Sequence, residues 1–492
     1  MADETLEMFR LGYAAHRQGR LAEAEAVYQA VLRRSPDTPD ALHLLGLVRL
    51  QQGQPQEAAE LIGRAVGLNP RAPAMRVNLG NALSAAGRPA EALEALDAAL
   101  ALGAPPGVQR LRGDALQALG RWADALSAYD AAIAEQPGDP VLQFNRANQL
   151  RYLRRIDDAI GGYGAALALD PDFAVAHHNR AVCRLLAGDW TQGLAEYEWR
   201  KACPEFTDPR YRLAPELKGG EDLAGRRLFV FAELFLGDVI QMSRYLALAT
   251  AKGAKVTLAA PVALHRLLSS LDADVELLAA DAQPEAFDYI CPLMSLPLAF
   301  GTTPQAAPSP APYLSAEPDR AARWTERIGG EGFRIGVCWQ GSTAAYALPM
   351  QRSFPLAALA PIAAQPGVRL ISLQKHDGLD QLAGRPAGMA VETLGDDFDA
   401  GPDAFLDTAA AMAACDLVIT ADTAVAHLAG ALGAPTWIGL PFVPDWRWGL
   451  QGGATPWYPS VRLFRQDRAG DWEAVIGQMA AEIARLQGGP NA

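Results

Sequence analysis

The stretch DLVITADTAVAHLAGALGAP, residues 416–435, decides the fold of the larger part of this 492-residue chain. Residues 417–420 predict a buried strand, and residues 424–432 predict a helix of small side chains. Asp422 and Thr423 stand at the junction between them. A helix that begins directly after a buried strand is typical of a parallel α/β sheet, where the junction lies at the carboxyl edge.

The same alternation of short apolar segments and helical segments runs from Arg226 to the end of the chain. The predicted strands are RRLFVFA, KVTLAA, DVELLA, FDYIC, FRIGVCW, VRLISLQ and DLVIT. The proline-rich stretch TTPQAAPSPAPYL interrupts the alternation, as a connection between domains does. We therefore predict two α/β halves, residues 226–315 and 316–492, with a ligand cleft between the carboxyl ends of their sheets.

The first two hundred residues instead repeat with a period of 33 or 34 residues. The repeated small residues are Gly12, Gly46, Gly80, Gly113, Ala147 and Ala181. A second small residue follows each of them by twelve positions, and a large one follows four later: Tyr28, Ile62, Leu96, Tyr129, Tyr163 and Tyr197. This pattern is similar to that of tetratricopeptide repeats, in which two helices per unit cross closely at small residues. It predicts an all-α superhelix of about six repeats over residues 1–203, with a linker at 204–225.

Asparagines recur on the first helices of these repeats, at Asn78, Asn81, Asn145, Asn148 and Asn179. A side-chain amide donates and accepts hydrogen bonds, so stacked asparagines can hold a peptide backbone with little regard to its sequence. We predict that they bind an acceptor protein; the alternative is that they are solvated polar positions.

The net charge of −13 argues against a nucleic-acid partner, which requires a basic face. No apolar run approaches the length of a membrane span, and the start MADETLEMFR lacks the layout of a secretory signal. The five cysteines are scattered and odd in number, which favours reduced thiols in a cytoplasmic protein.

The junction after the 417–420 strand is the first candidate site. The start of a helix offers free backbone N–H groups and a partial positive charge, which suit a phosphate. His427 lies one turn into the helix, roughly on the face of Thr423. The alternatives are that Asp422 or Thr423 caps the helix and that His427 is a packed core residue.

The motifs DTAVAHLAGALG, PFVPDWRWGL, ISLQKHD and LGDVIQMSRYL together resemble the transferase part of bacterial proteins that fuse tetratricopeptide repeats to a glycosyltransferase domain. That part is similar to the bacterial heptosyltransferases and, more distantly, to the O-linked N-acetylglucosamine transferases. The resemblance implies a GT-B fold of two Rossmann-like halves and a nucleotide-sugar donor held mainly by the carboxyl-terminal half. It implies no metal and no bound cofactor.

The resemblance also assigns roles to individual residues. It implies that Asp238, after Gly237 in LGD, is the base that takes the proton of the acceptor hydroxyl; Glu233 is the alternative base. The donor-binding residues that it implies are Asp422, Thr423, Ala424, His427, Lys375, Arg352, Gly237, Trp339 and Gln340.

The sequence departs from the family pattern in two places: ELFLGD replaces a pattern nearer EQGLGD, and STAAYALPMQRS lacks basic residues before Arg352. Fewer cations indicate either a donor with fewer phosphates, such as a cytidine monophosphate (CMP) sugar, or weakened activity.

The resemblance therefore implies an inverting protein O-glycosyltransferase that modifies Ser or Thr of a protein bound by the repeats. Within this group it favours flagellin as the acceptor and a nonulosonic acid as the sugar. The alternatives are a heptosyltransferase-like enzyme acting on a lipopolysaccharide or another glycan, and a non-catalytic repeat scaffold.

Overall fold

The computed structural model describes residues 2–233, 235–309, 312–342 and 352–488. The chain forms two compact units, Met1–Ala176 and His177–Ala492. The described part of the first unit is helical, and the second unit contains parallel β-sheets with helices between the strands. The predicted order, an all-α array followed by an α/β region, is confirmed at this level.

The first unit consists of consecutive helix pairs. They are α1 (Ala2–Arg17), α2 (Leu21–Arg34), α3 (Pro39–Gln51), α4 (Pro55–Leu68), α5 (Pro73–Ala85), α6 (Pro89–Ala101), α7 (Val108–Ala118), α8 (Trp122–Glu135), α9 (Pro140–Tyr152) and α10 (Ile156–Leu169). The helices of a pair touch where the sequence repeats a small residue. A Cβ atom added to Gly80 would lie 2.6 Å from the Leu96 side chain, and the glycines of the first, second and fourth repeats are similarly close to their large residues. In these four repeats the large residue therefore packs on the small one.

The sixth helix pair lies almost wholly in the second unit. It consists of α11 (Ala174–Ala187) and α12 (Trp190–Tyr197), and the two units divide between residues 176 and 177. The boundaries predicted at 203, 225 and 315 stay predictions.

The second unit continues with nine strands and nine further helices in its described residues. The strands are β1 (Arg227–Phe231), β2 (Lys255–Ala260), β3 (Val275–Ala279), β4 (Tyr289–Pro292), β5 (Phe333–Cys338), β6 (Val368–Ser372), β7 (Leu417–Ala421), β8 (Thr436–Leu440) and β9 (Val461–Arg465). The helices are α13 (Leu236–Met242), α14 (Arg244–Ala251), α15 (His265–Leu268), α16 (Leu296–Ala299), α17 (Pro318–Ile328), α18 (Ala360–Ala363), α19 (Leu406–Ala413), α20 (Ala424–Ala431) and α21 (Trp472–Gly488).

The strands form two parallel sheets, in the orders β3-β2-β1-β4 and β6-β5-β7-β8-β9. In each sheet the chain first adds strands on one side of its first strand, β1 or β5, and then adds the remaining strands on the other side. The turning points lie between β1 and β4 and between β5 and β7, and such points are where open α/β sheets bind ligands. Two parallel sheets are compatible with the predicted GT-B fold, which stays a prediction.

Seven of the strands match the predicted segments, whereas β8 and β9 were not predicted from the sequence. All five residues of β8 are buried, and its Trp437 lies in the large core of the second sheet, to which α21 contributes Val475, Ile476 and Met479. None of the helices in the described ranges combines the length and apolar character of a membrane span.

Candidate functional site

A cavity of about 810 Å³ opens at the carboxyl edge of the second sheet. It lies beside the turning point between β5 and β7, because its walls come from the segments that follow β5, β6 and β7. The loop before α19 and Leu236, at the start of α13, complete it. This is the edge at which the sequence predicted a ligand site.

The first turn of α20 forms one wall of the cavity, through Thr423, Ala424 and Val425. Thr423 has extended backbone angles and is the N-cap, since its Oγ1 accepts a hydrogen bond from the Val425 N–H at 3.2 Å. The helix start carries a partial positive charge toward the cavity. Thr423 is therefore both the cap that the alternative interpretation expected and a part of the cavity wall.

Lys375 and Gln340 line the same cavity, just beyond the ends of β6 and β5. The Lys375 Nζ donates to the carbonyl oxygen of Phe398 at 2.6 Å. An ammonium group carries three donors, so this bond does not exhaust it. The Gln340 Oε1 accepts a hydrogen bond from Gln381 Nε2 at 2.6 Å, which fixes its side chain.

Trp339 belongs to the core of the second sheet. Its side chain is fully buried, and its Nε1 donates to the carbonyl oxygen of Gly378 at 3.1 Å. The structure does not bring this ring to the cavity. The neighbouring buried Gln374 accepts from the N–H groups of Trp339 and Gln340, both at 3.0 Å, and thereby joins the loops after β5 and β6.

Arg352 lies close to the start of α20. A Cβ atom added to Gly341 would be 3.2 Å from Thr423 Cγ2 and 3.7 Å from Arg352 Nε, which places the guanidinium beside the N-cap. The Arg352 Nε is buried and has no hydrogen-bond partner among the described residues. Most of the loop STAAYALPMQRS, in which the sequence lacked basic residues, falls at 343–351 and lies outside the described residues.

Three residues around the cavity hold a left-handed backbone that side-chain-bearing residues rarely adopt. They are His376, Asp399 and Phe405, with φ angles of 66°, 42° and 67°. Within the described ranges, one further non-glycine residue, Arg154, has a positive φ. Such strained residues cluster at ligand sites, because the surrounding structure must hold them in place.

Asp422 and His427 are buried, with 7% and 6% of their surfaces exposed. Burial raises the pKa of Asp422 to about 6; Asp445 adds to this and Arg352 opposes it. Burial and the nearby Arg447 lower the pKa of His427 well below its usual value, so the imidazole is neutral.

The surroundings of His427 are those of a packed core residue. Its Nδ1 lies 3.0 Å from the Tyr458 hydroxyl in a hydrogen bond, and its ring stacks on Trp448 at 5.3 Å. A role for His427 in donor binding stays a prediction.

Asp238, the predicted base, forms an ion pair with Arg447 of the loop after β8. The Arg447 Nη2 donates to the Asp238 carboxylate at 2.7 Å, while its Nη1 and Nε donate to Asp445 and Gln241. Burial raises the pKa of Asp238, and the positive charge of Arg447 acts in the opposite direction. The pair joins the helix that follows β1, in the first sheet, to the loop that follows β8, in the second.

Gly237 lies at a close contact between α13 and α20. A Cβ atom there would lie 3.1 Å from His427 Cδ2 and 3.4 Å from Ala424 Cα. The glycine therefore lets the starts of the two helices meet, which brings Asp238 toward the 422–427 segment. Of the altered loop before it, Leu234 lies outside the described residues and Phe235 is 46% exposed.

Glu233, the alternative base, is fully engaged in a buried network. Its carboxylate accepts hydrogen bonds from Arg200 Nε at 2.8 Å, from the Tyr211 hydroxyl at 2.7 Å and from the Met294 N–H at 2.8 Å. Both oxygens of this carboxylate are therefore occupied by hydrogen-bond donors of the protein. The role of base stays a prediction for Asp238 and for its alternative, Glu233.

The asparagines of the repeats differ in their surroundings. Asn81 is exposed, whereas Asn148 is buried and its Oδ1 accepts from the Tyr163 hydroxyl at 2.7 Å. The Asn78 amide donates to His43 Nε2 at 2.8 Å. The two remaining ones, Asn145 and Asn179, are half-buried. Contact with a peptide stays a prediction for all five, and Asn81 is the most accessible.

Several residues of the site were not predicted from the sequence. Asp399 caps α19 by accepting from the N–H groups of Asp407 and Thr408, and Arg447 forms the ion pair with Asp238. The quoted motif PFVPDWRWGL contains Arg447, so the arginine between two tryptophans was the available signal.

Comparison with known proteins identifies the repeats. Models of the tetratricopeptide repeat match residues 4–71, 43–108, 79–140, 110–148 and 144–205. Protein FlbA of Caulobacter vibrioides is 30% identical over 328 residues, which cover 62% of this chain and 54% of FlbA. This chain thus spans about half the length of that curated relative. Because 62% of the chain exceeds the part matched by the repeat models, the likeness extends beyond the repeats.

Two solved structures are similar to part of this chain. MamA is 23% identical, with a TM-score of 0.33 over 36% of this chain and 96% of its own. YrrB, described as a TPR protein with an unusual peptide-binding site, is 18% identical, with a TM-score of 0.32 over 36% of this chain and 91% of its own. The matches of the repeat models alone place tetratricopeptide repeats between residues 4 and 205 of this chain.

Proposed function

We propose that this chain is a protein O-glycosyltransferase. In this proposal the repeats bind an acceptor protein, and the α/β unit transfers a sugar from a nucleotide-sugar donor to a Ser or Thr hydroxyl. The observation that carries the proposal is the 810 Å³ cavity at the turning point of the second sheet. It combines the start of α20 with Lys375, and Arg352 lies beside it. These are the groups that bind a phosphate.

In the proposed reaction the acceptor hydroxyl attacks the anomeric carbon of the donor sugar. A new carbon–oxygen bond forms as the bond to the phosphate oxygen breaks, and the nucleotide leaves with the bonding electrons. Asp238 accepts the hydroxyl proton. Burial raises the pKa of Asp238, and a raised pKa makes a carboxylate a better base near neutral pH.

The charges around the cavity favour a donor with a single phosphate. Its described lining includes one lysine, Lys375, and three aspartates, at positions 377, 399 and 403. The adjoining sequence TAAYALPMQ, residues 343–351, adds no charged side chain. A diphosphate would face little compensating charge here, so we propose a CMP-linked sugar, with a nonulosonic acid as the sugar.

The acceptor in this proposal is a protein held by the repeats, with flagellin as the leading candidate. Tetratricopeptide arrays form extended surfaces that suit a polypeptide partner. The fusion of such an array to the α/β unit supports a protein acceptor, because a small acceptor would not need it.

A non-catalytic scaffold is the second candidate, and one observation favours it. Asp238 is paired with Arg447 at 2.7 Å, and a paired carboxylate accepts a proton less readily. In the scaffold interpretation this pair only joins the two α/β halves.

The first experiment measures the melting temperature of the protein with cytidine, uridine, guanosine and adenosine nucleotides. A ligand that binds the native state raises the midpoint, and we expect CMP to give the largest rise. Lys375→Met should reduce the rise, whereas Lys218→Met, at an exposed lysine outside the cavity lining, should not. No rise with any nucleotide would support the scaffold.

The second experiment tests transfer. The full chain is co-expressed with flagellin and the enzymes that supply the CMP-sugar, and the flagellin mass is measured. We expect a mass increase that is lost in Asp238→Asn and retained in Asp272→Asn, which changes an exposed aspartate. Unchanged flagellin mass, together with no binding of flagellin to the repeats, would exclude this acceptor.

A further inference from the structure

The large residue of each repeat is a tyrosine in the fourth, fifth and sixth repeats. In the fourth, the Tyr129 hydroxyl donates to Asp114 at 2.7 Å, and in the fifth the Tyr163 hydroxyl donates to Asn148 at 2.7 Å. Both acceptors directly follow the small residue of their repeat. The corresponding position of the sixth repeat is Val182, which has no side-chain oxygen. The sixth tyrosine, Tyr197, therefore cannot make the bond of its counterparts.

Tyr197 instead lies in a row within the second unit in which two aromatic rings stand between two arginines. The Arg200 Cζ lies 5.0 Å from the Tyr197 ring, the Tyr197 ring lies 6.4 Å from that of Trp446, and the Arg447 Cζ lies 4.9 Å from the Trp446 ring. Cations within about 6 Å of an aromatic face are attracted to it. Each member of the row thus limits where its neighbours can lie.

The arginine at each end of this row is paired with one of the two candidate bases. Arg200 is bound to Glu233 at 2.8 Å, and Arg447 is bound to Asp238 at 2.7 Å. Arg200 is fully buried, and Trp446 and Arg447 are 3% and 8% exposed. The row is therefore shielded from water. Cation–ring contacts are strongest when they are desolvated in this way.

Packing of α12 fixes the tyrosine in this row. Trp190, at the start of α12, stacks on Trp457 at 5.1 Å and meets Trp446 edge-on at 5.8 Å. The turn after α12 is held as well, since Glu198 accepts from the Ser295 hydroxyl at 2.9 Å. The final helix of the repeats is thus built into the α/β unit around the Asp238–Arg447 pair.

We infer that Tyr197 is a positioning residue that holds Arg447 against Asp238 through the face of Trp446, so that the last repeat completes the candidate catalytic centre. The role of Asp238 as base rests on the proposed function. The contacts that hold Arg447 beside Asp238 do not depend on that function.

Loss of the Tyr197 ring should leave Trp446 and Arg447 less constrained. Asp238 would then stay buried, but its interaction with the positive charge of Arg447 would weaken. The pKa of Asp238 should therefore rise further. The charged groups that act on Asp238 are Arg447 and Arg352, which favour the carboxylate, and Asp445 and Glu233, which oppose it. Tyr197 is the titratable side chain that faces this set from α12.

The test compares Tyr197→Leu and Tyr197→Phe in the full chain. Leucine occupies the equivalent position of the third repeat, at Leu96, so the repeat fold accommodates it. Thermal unfolding is measured from pH 4 to 8 for each variant with and without Asp238→Asn. The pH dependence of the difference gives the pKa of Asp238 by linkage, without an activity assay.

We expect Tyr197→Leu to raise the titration midpoint of Asp238 by about one pH unit. Tyr197→Phe keeps the ring and should leave this titration midpoint unchanged. Tyr163→Leu is the matched control: it should lower the melting temperature without moving the midpoint. An unchanged midpoint in Tyr197→Leu would overturn the inference, as would equal shifts for leucine and phenylalanine.

The outcome is separable from that of the proposed function. A shifted midpoint in a protein that transfers no sugar would support the positioning role and exclude the transferase. Transfer with an unchanged midpoint would support the transferase and exclude the positioning role.

Discussion

At the scale of single residues, the two ends of β7 carry aspartates in opposite electrostatic environments. Asp416, before the strand, accepts from Arg334 at 2.8 Å, and this bond lowers its pKa. Asp422, after the strand, is buried, and burial raises its pKa to about 6. One strand thus places an aspartate that is stabilised as an anion at one end, and one whose ionisation costs free energy at the cavity end.

We predict that Asp422→Asn becomes more stable, relative to the wild type, as the pH rises from 4 to 7. The folded-state pKa is raised from 3.8, so the contribution of Asp422 to stability is present below about pH 4 and is lost through pH 6. A pKa shift of this size corresponds to a difference of about 2–3 kcal/mol in the free energy of unfolding. Urea unfolding followed by tryptophan fluorescence measures it, since Trp122 alone of the ten tryptophans precedes residue 177.

For Asp416→Asn we predict the opposite pH dependence of stability. The pKa of Asp416 is lowered in the folded state, so its contribution to the free energy of unfolding is present at neutral pH and is lost as the pH falls below about 4. The variant should therefore be less stable than the wild type at pH 7, and the difference should narrow in acid. Parallel pH profiles for the two variants would contradict the assigned environments.

The sequence predicted which residues reach the cavity edge better than it predicted what they touch. Thr423 and Lys375 follow strands directly, so the parallel sheet alone places them at the cavity. Glu233 also follows a strand, but its partner Arg200 lies 33 positions earlier, in the turn after α12. Pairing across such a distance depends on tertiary packing, which local spacing does not encode.

At the scale of elements, α20 is packed so closely that small residues are required along it. A Cβ atom added to Gly430 would lie 2.4 Å from the Tyr458 ring. That ring is buried, its hydroxyl is bound to His427, and the Arg244 guanidinium lies 4.5 Å from its centre. The position of α20, and with it the cavity wall, therefore depends on the contact between Gly430 and Tyr458.

We predict that Gly430→Ala lowers the free energy of unfolding by about 1–3 kcal/mol, because the added methyl group must displace Tyr458. Nucleotide binding should weaken as well, since the start of α20 would move. Gly477→Ala is the control, because nothing lies within 4 Å of its added Cβ in the helix α21. It should stabilise the protein by about 0.5–1 kcal/mol. Equal effects of the two variants in urea unfolding would contradict this interpretation.

The predictability of the elements follows how local their signals are. The repeat helices were predicted because close packing requires small residues such as Gly46 and Gly80 at a fixed spacing. The strands β8 and β9 were missed because each has five residues between irregular loops, and their pairing partners lie elsewhere in the chain. Short buried strands carry no period that distinguishes them.

At the scale of the whole molecule, the chain divides inside a repeat and not after the last one. The division between the two compact units falls between residues 176 and 177, near the start of α11, whereas the repeat models match up to residue 205. Trp190 and Arg200 explain the division, since both are buried against residues of the α/β unit. The boundary at 203 was predicted from the end of the repeat pattern and stays a prediction; that pattern carries no information on which core a helix joins.

We predict that residues 1–176 and residues 177–492 each fold when expressed alone. Circular dichroism should show a cooperative helical transition for the first fragment, and fluorescence a cooperative transition for the second. A fragment of residues 204–492 should not fold stably, because it leaves Glu233 buried without Arg200, a loss of about 3–5 kcal/mol. Equal stability of the fragments starting at 177 and 204 would contradict the role given to α12.

The place of α12 also limits how chimeras of this protein can be made. A foreign solenoid spliced in at residue 203 would bring its own last helix and remove Trp190, Tyr197 and Arg200 together. A splice upstream of residue 177 keeps all three. Replacement of the recognition module, in the laboratory or by recombination, is therefore expected to succeed when the terminal helix pair is inherited with the α/β unit.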